Sequence, residues 1–361
     1  MARALLLVSA FALVACGSDG GADVAAQAAD APADALARTS ETTGLDADLL
    51  AATLAAADTL DRIRALVVAR GGEVLAERYW GGYALDRPAN VKSASKSVLS
   101  ALVGRAIAEG VLDGVDQPVA PAFAAEVPAD ADPRIQDITV GDLLSMQAGL
   151  EPTSGRNYGR WAVSPNPVRY ALERPFVAEP GGRMLYSTGS SHLLSALLTR
   201  ASGRTTLALA REWLGEPLGV AVPPWGRDPQ GVYYGGNEMA LSPRAMLRFG
   251  ETYRQGGVYE GRRVVPEAWV RQSWEPRGRS PWSGHGYGYG WWIKRARGHA
   301  VYFAWGYGGH MVFVVPGLGL TVVVLSDPTA RSTEGGHLAA LHALLDDGLV
   351  PAAERGDGSA G

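Results

Sequence analysis

Apolar residues fall into two patterns along this chain. Toward each end they form short β-prone runs, and between those ends they pair at the spacing of one helix face. On the N-terminal side, Leu45 to Leu60 has a helical pattern. Ile63 to Ala69 and Glu73 to Tyr79 then read as strands joined by Gly71-Gly72, a dipeptide suited to a tight hairpin turn. On the C-terminal side, Gly290 to Lys294, Val301 to Trp305, Met311 to Val315 and Leu320 to Leu325 read as strands, and Glu334 to Leu345 as a helix. In the middle, Val98/Leu99, Leu102/Val103 and Ala106/Ile107 mark one helix ended by Gly110. Leu193/Leu194 and Leu197/Leu198 mark another, followed by Gly203. Thr139 to Asp142 has the signature of a capping box, and Ser242-Pro243 that of an N-cap followed by a first-turn proline.

These elements predict an α+β fold. One antiparallel sheet is built from the N- and C-terminal segments and flanked by helices, and the insert between them forms a mostly helical second lobe. No regular β-α-β alternation supports a parallel sheet. The cleft between sheet and insert is the natural place for a small-molecule substrate. At 361 residues and 47% hydrophobic, the chain can bury a large core. A net charge of -4 with scattered arginines and no basic run argues against a nucleic-acid partner.

The first residues read as a targeting segment. Arg3 precedes Ala4 to Ala15, an almost unbroken apolar run too short to span a bilayer, which takes about 20 residues. Leu13-Val14-Ala15-Cys16 resembles a bacterial lipobox, in which the cysteine is lipidated after cleavage; the plainer alternative is a secretory signal with a chance cysteine. Cys16 is the only cysteine, so no intramolecular disulfide forms. The expected organisation is a lipoprotein signal peptide over 1–15, a flexible tether rich in Ala, Asp and Gly over 16–44, a folded domain over 45–350, and a disordered tail over 351–361. Such a protein is exported and held on the periplasmic side of a membrane by its lipid anchor.

Ser93-Ala94-Ser95-Lys96 carries the candidate chemistry. A serine three residues before a lysine on a first helical turn places hydroxyl and amine on one face. Only Lys92, Lys96 and Lys294 supply lysine in the chain, so the pattern occurs once. Locally, Ser93 reads equally as a nucleophile or as a helix cap. To act as a base Lys96 must be neutral, which requires its pKa to fall by roughly 3, about 4 kcal/mol. Tyr186, on a loop before a helix, can project into a cleft and relay a proton, although packing is its plainer role. In Trp305-Gly306-Tyr307-Gly308-Gly309-His310, glycines at a strand edge allow close approach and expose N–H groups. The six histidines have no metal-ligand spacing, no Gly-x-Ser-x-Gly elbow occurs, and neither a metal nor a cofactor is expected. Tyr287, Tyr289, Trp291 and Trp292 alternate at strand period and read as sheet packing. Tyr158 and Trp161 are candidates for a substrate wall.

Taken together, these segments resemble the serine β-lactamase and penicillin-binding-protein superfamily, in its class C β-lactamase-like branch of esterases, D-aminopeptidases and 6-aminohexanoate-oligomer hydrolases. The resemblance runs in order through Ser93 to Asp113, Asp142 to Leu150 (DLLSMQAGL), Tyr186 to Leu194 (YSTGSSHLL), Pro217-Leu218-Gly219, Gly235 to Met239 (GGNEM), Gly286 to Trp292 (GYGYGWW) and Gly306 to Pro316. It implies a β-lactamase/transpeptidase-like fold and a serine hydrolase of carboxylesterase or amidase type. Ser93 would attack the carbonyl, Lys96 would be the base and Tyr186 the proton relay. The backbone N–H groups of Ser93 and Tyr307 would form the oxyanion hole, and Thr188, Asn237 and Gly308 would border the substrate, although a turn asparagine is the plainer reading of Asn237. Thr188 stands where lactamases usually carry asparagine, and no Lys-Thr-Gly triad occurs. Both departures point away from lactams, toward an ester or small linear amide. The alternatives are β-lactamase or D-Ala peptidase activity at the same site, or a non-catalytic binding lipoprotein.

Overall fold

The computed structural model describes residues 38–39, 44–329 and 336–358. Its nine-stranded sheet consists of β1 (Arg38–Thr39), β2 (Ile63–Arg70), β3 (Glu73–Tyr79), β4 (Gly278–Arg279), β5 (Gly286–Tyr287), β6 (Trp292–Ala296), β7 (His299–Gly306), β8 (His310–Val315) and β9 (Leu320–Ser326). The order is β1-β3-β2-β9-β8-β7-β6-β5-β4, and every neighbouring pair is antiparallel. The two ends of the chain meet where β2 pairs with β9, with Val67 opposite Val323. The longer helices are α1 (Ala47–Asp58), α2 (Ser95–Ala108), α3 (Thr188–Ser202), α4 (Pro243–Arg254) and α5 (Val350–Gly358).

Strand side chains alternate between two separate cores. Ala65, Val67 and Ala69 of β2, with Val312 and Val314 of β8, join the core made with α2, α3 and α4. Their neighbours Ile63, Leu66 and Val68, with Met311, Phe313 and Val315, join a second core beneath α1 and the C-terminal helices. With both faces covered, the strands read as nearly unbroken apolar runs rather than alternating ones. The connection between β3 and β4 carries α2, α3, α4 and several shorter helices, forming the expected helical lobe.

The local signals act as their chemistry requires. Asp142 donates its N–H to the Thr139 hydroxyl, and the Asp142 carboxylate accepts the Thr139 N–H at 2.9 Å. Ser242 caps α4 by accepting the Ala245 N–H at 3.2 Å. Gly203 ends α3 at φ +67°.

Two expected boundaries are corrected. The tail does not begin at 351: the chain is helical from His337 through Gly358, and Ala352 and Ala353 are fully buried. The Ala352 carbonyl accepts the Asp46 N–H at 2.9 Å, tying the last helix to the start of α1. Alanines with no large apolar neighbour bury well in such a contact but leave little trace in a hydropathy pattern. Within the expected tether, the backbone of Arg38–Thr39 pairs with β3. The signal peptide, Cys16 and, apart from Gly44, the rest of the tether lie outside the described residues.

Candidate active site

The chain enters α2 through a tight turn at Lys92–Ala94. Lys92 adopts φ +52°, a left-handed conformation that residues with a β-carbon avoid. Asn90 Oδ1 accepts the Lys92 N–H at 3.0 Å and steadies the turn. From the sheet side, Gly306 fits only because it lacks a side chain, since a β-carbon there would overlap the Val91 carbonyl oxygen. That glycine therefore admits the backbone of the Ser93 turn rather than a ligand. The consequence is that Tyr307, one residue beyond the Gly306–His310 pair that ends the β7–β8 ladder, sits beside the same turn.

Ser93 is not a helix cap. Neither the turn nor α2 has a side-chain capping bond at its N-terminus, and Ser95 Oγ donates instead to the Lys92 carbonyl at 2.7 Å. The Ser93 hydroxyl is left to face Lys96 and Tyr186. Lys96 Nζ lies 3.1 Å from Ser93 Oγ, 3.4 Å from Thr188 Oγ1 and 2.6 Å from the Gly236 carbonyl oxygen. Only glycine can bring that carbonyl so near, because at φ +82° a β-carbon would stand 2.8 Å from Lys96 Cγ and 2.6 Å from Ser191 Cβ. The lysine is almost completely buried, and burial lowers its pKa to about 7. The depression that the sequence demands is thus supplied by desolvation.

The nearby Ser93 hydroxyl acts to lower the Tyr186 phenol, yet burial dominates and drives it upward. Its ring stacks on Trp292 at 5.6 Å and meets Tyr287 and Trp282 edge-on. Lys96 Nζ lies 5.1 Å from the ring centroid. The alternating aromatic run does pack the sheet, and its end shapes the bed on which Tyr186 rests. Thr188 opens α3, with its N–H donated to Ser154 Oγ at 2.9 Å and its hydroxyl 3.0 Å from the same oxygen.

Ser93, Tyr186, Thr188, Asn237 and Tyr307 share one cleft of about 640 Å³ with Lys92, Ser154, Tyr158, Glu238 and Trp282. Two expectations fail here. Gly308 turns away: a β-carbon there would press on Pro328, and its carbonyl accepts from Arg62. Trp161 is fully buried against His192 and Tyr234 rather than lining the cleft. Asn237 does reach the cleft, donating through Nδ2 to the Tyr158 hydroxyl at 2.6 Å. No local pattern marks Trp282, an exposed loop tryptophan, or the Gly236 carbonyl, whose role requires a contact across 140 residues. Among the described residues, no group of three or more His, Cys, Asp or Glu side chains converges as a metal site.

Residues 57–346 match the β-lactamase family, and the chain belongs to it. It is 27% identical over 227 residues to 6-aminohexanoate-dimer hydrolase of Paenarthrobacter ureafaciens, a match covering 57% of this chain and 55% of that protein. The chain therefore spans only about half the length of this curated relative. Among solved structures, a penicillin-binding-protein homologue from Caulobacter crescentus superposes with a TM-score of 0.65 at 20% identity, covering 87% of this chain and 99% of that one. A family VIII carboxylesterase superposes with a TM-score of 0.64 at 17% identity, covering 85% and 98%. The α+β fold with its composite antiparallel sheet is shared with these proteins.

Proposed function

We propose that this protein is an exported serine hydrolase that cleaves an ester or small amide through an acyl-enzyme on Ser93. The observation that carries the reading is the 3.1 Å approach of a buried lysine, with a pKa near 7, to the Ser93 hydroxyl. Ser93 Oγ attacks the substrate carbonyl carbon as its proton passes to Lys96 Nζ. The carbonyl oxygen gains negative charge and is held by the backbone N–H groups of Ser93 and Tyr307. The tetrahedral intermediate collapses, the leaving oxygen or nitrogen takes a proton through Tyr186, and the acyl group stays on Ser93. Water then attacks the acyl carbon, giving up a proton to the same pair, and the acid departs as Ser93 Oγ is reprotonated.

Thr188 in place of an amide side chain, and the lack of a Lys-Thr-Gly triad, favour esters over lactams. Asn237 and Thr188 line the substrate's path. At the N-terminus, lipidation of Cys16 would tether the domain outside the cytoplasm; each buried CH₂ of an acyl chain adds about 0.8 kcal/mol to membrane affinity. A fluorophosphonate probe is expected to label wild type and not Ser93→Ala, and equal labelling would sink the reading. Purified protein should turn over short p-nitrophenyl esters faster than nitrocefin, and the reverse order would make it a β-lactamase. Labelled palmitate should enter wild type in cells but not Cys16→Ala.

A further inference from the structure

We infer that the buried His192–Asp228 pair positions the base of the proposed reaction: it fixes the backbone at Gly235 so that the Gly236 carbonyl turns the Lys96 amine toward Ser93. The inference rests on the serine-hydrolase reading and deepens it. The Gly236 carbonyl oxygen lies 2.6 Å from Lys96 Nζ and takes one of its N–H donors. Two successive glycines carry that carbonyl, with Gly236 at φ +82°. Glycine has the widest backbone freedom of any residue, so contacts must impose the direction of this carbonyl. Close packing supplies part of the constraint. A β-carbon on Gly235 would overlap the Ser191 carbonyl oxygen, so the segment lies flush against α3.

A side chain of α3 supplies the rest. His192 Nδ1 accepts the Gly235 N–H at 3.4 Å. A backbone N–H can only donate, so Nδ1 carries no proton and the ring proton sits on Nε2. Nε2 in turn lies 3.0 Å from Asp228 Oδ2. Asp228 Oδ1 accepts the N–H groups of Gln230 and Val232 at 2.9 and 2.8 Å, which ties the carboxylate to the loop leading into Gly235. Neither side chain of the pair has exposed surface, so bulk water cannot take the place of either partner. Trp161 and Tyr234 pack on the imidazole, at 5.6 and 5.1 Å between ring centroids, and hold its plane.

The pair works from behind the cleft. Neither side chain lines it, so both are positioning residues that act through Gly236. A bond of 3.4 Å contributes little to stability, and its weight lies in the tautomer it demands. With Nδ1 protonated, two N–H donors would face each other across that gap and Gly235 would be driven off. Gly236 would move with it and take away the shortest partner of Lys96. Only the 3.4 Å contact with Thr188 would then remain to direct the amine's lone pair at Ser93 Oγ. Asp228 is a fixed acceptor, and it selects the tautomer in which this line of contacts holds.

Asp228→Asn tests this with the purified protein. The two backbone donors keep the amide oxygen on their side, so Nδ2 faces the ring and forces its proton onto Nδ1. For p-nitrophenyl acetate, kcat should fall at least tenfold with KM within twofold of wild type. In 15N-histidine spectra at pH 8 the His192 proton should sit on Nε2 in wild type and on Nδ1 in the variant. A third readout needs no turnover. The chain has three lysines, so 13Cε-lysine labelling gives three signals, and Lys96→Met identifies that of Lys96. An acceptor 2.6 Å away favours the ammonium form, so its loss should move the Lys96 titration to lower pH. If Asp228→Asn does not fold, His192→Asn, which keeps an oxygen acceptor, should retain at least tenfold more kcat than His192→Leu. A wild-type ring protonated on Nδ1, a Lys96 titration unchanged or raised in Asp228→Asn, or equal kcat in the two His192 variants overturns the inference. The expected histidine and lysine signals without hydrolysis of any ester would sink the hydrolase reading alone. Ester hydrolysis with kcat untouched by Asp228→Asn would sink the positioning alone.

Discussion

Lys96 Nζ lies closer to the Gly236 carbonyl oxygen, at 2.6 Å, than to the Ser93 hydroxyl, at 3.1 Å. In the proposed mechanism the difference decides which proton goes where. A neutral amine has two N–H donors and one lone pair. The Gly236 carbonyl and, more weakly, Thr188 Oγ1 take the donors, so the lone pair is left for the Ser93 O–H. Burial lowers Lys96 to about 7 while pushing Tyr186 upward, so one group is poised to accept a proton and the other remains a phenol able to give one.

The pH–rate profile should therefore have a single acidic limb. Since only neutral Lys96 can accept the Ser93 proton, kcat/KM for a p-nitrophenyl ester rises with pH through about 7 and then levels. Lys96→Ala should lose about 10³-fold at pH 8, within the usual range for removing a general base. A stopped assay from pH 5 to 9 checks both points. A limb near 10, or one that persists in the variant, would remove Lys96 as the base.

Tyr186→Phe separates relay from packing. The ring keeps its stack on Trp292, so the thermal midpoint should hold within a degree or two while the hydroxyl facing Ser93 is lost. We expect kcat to fall about 10²-fold, with KM nearly unchanged. A rise in KM at constant kcat would make Tyr186 a binding residue instead.

Much of this fold is legible because local chemistry and tertiary context agree. The Gly71-Gly72 hairpin, the capping box at Thr139 and the proline-led start of α4 each act within a few residues, and each forms as its sequence implies. The terminal strands are legible through their β-branched runs. The illegible features depend on distant partners. Gly306 is required by Val91, more than 200 residues upstream, so its sequence neighbours suggest only a flexible strand edge. Trp161 is buried and Trp282 lines the cleft because exposure follows from how the lobes pack, and no period marks either. After Pro351 the helix buries only small residues, Ala352, Ala353 and Gly356, a signal too faint for a hydropathy reading. The Ser93–Lys96 spacing lies within one helical turn and was readable, whereas the Gly236 contact that orients Lys96 was not.

Gly306→Ala tests the contact between sheet and nucleophile turn. Its β-carbon meets a backbone carbonyl, which cannot rotate aside as a side chain can, so Val91 and β7 must separate. Overpacking of this kind costs about 1–3 kcal/mol. It should also pull Tyr307 from Ser93, lowering kcat about 10²-fold as expected for a lost oxyanion donor. Gly317→Ala is the control, since its nearest neighbour would be 3.7 Å away. Chemical denaturation and steady-state kinetics on both variants give the comparison. Equal behaviour would mean that the contact positions nothing.

The buried lysine should also be visible as a stability cost with a defined pH window. Its folded pKa, about 7, lies below its ordinary value of 10.5, so between these values the unfolded chain holds a proton that the folded one does not. Stability linked to this group must then rise with pH across that window, by about 1.4 kcal/mol per pH unit, and stay flat below it where both states are protonated. Lys96→Met removes the titrating group and nearly preserves the volume. Its stability relative to wild type should be most favourable at pH 7 and less so by about 2–3 kcal/mol at pH 9. Urea unfolding of both proteins at the two pH values measures the difference, in which shared titrations cancel. A pH-independent difference would show that Lys96 folds with its proton on, and the base would then have to be sought elsewhere in the cleft.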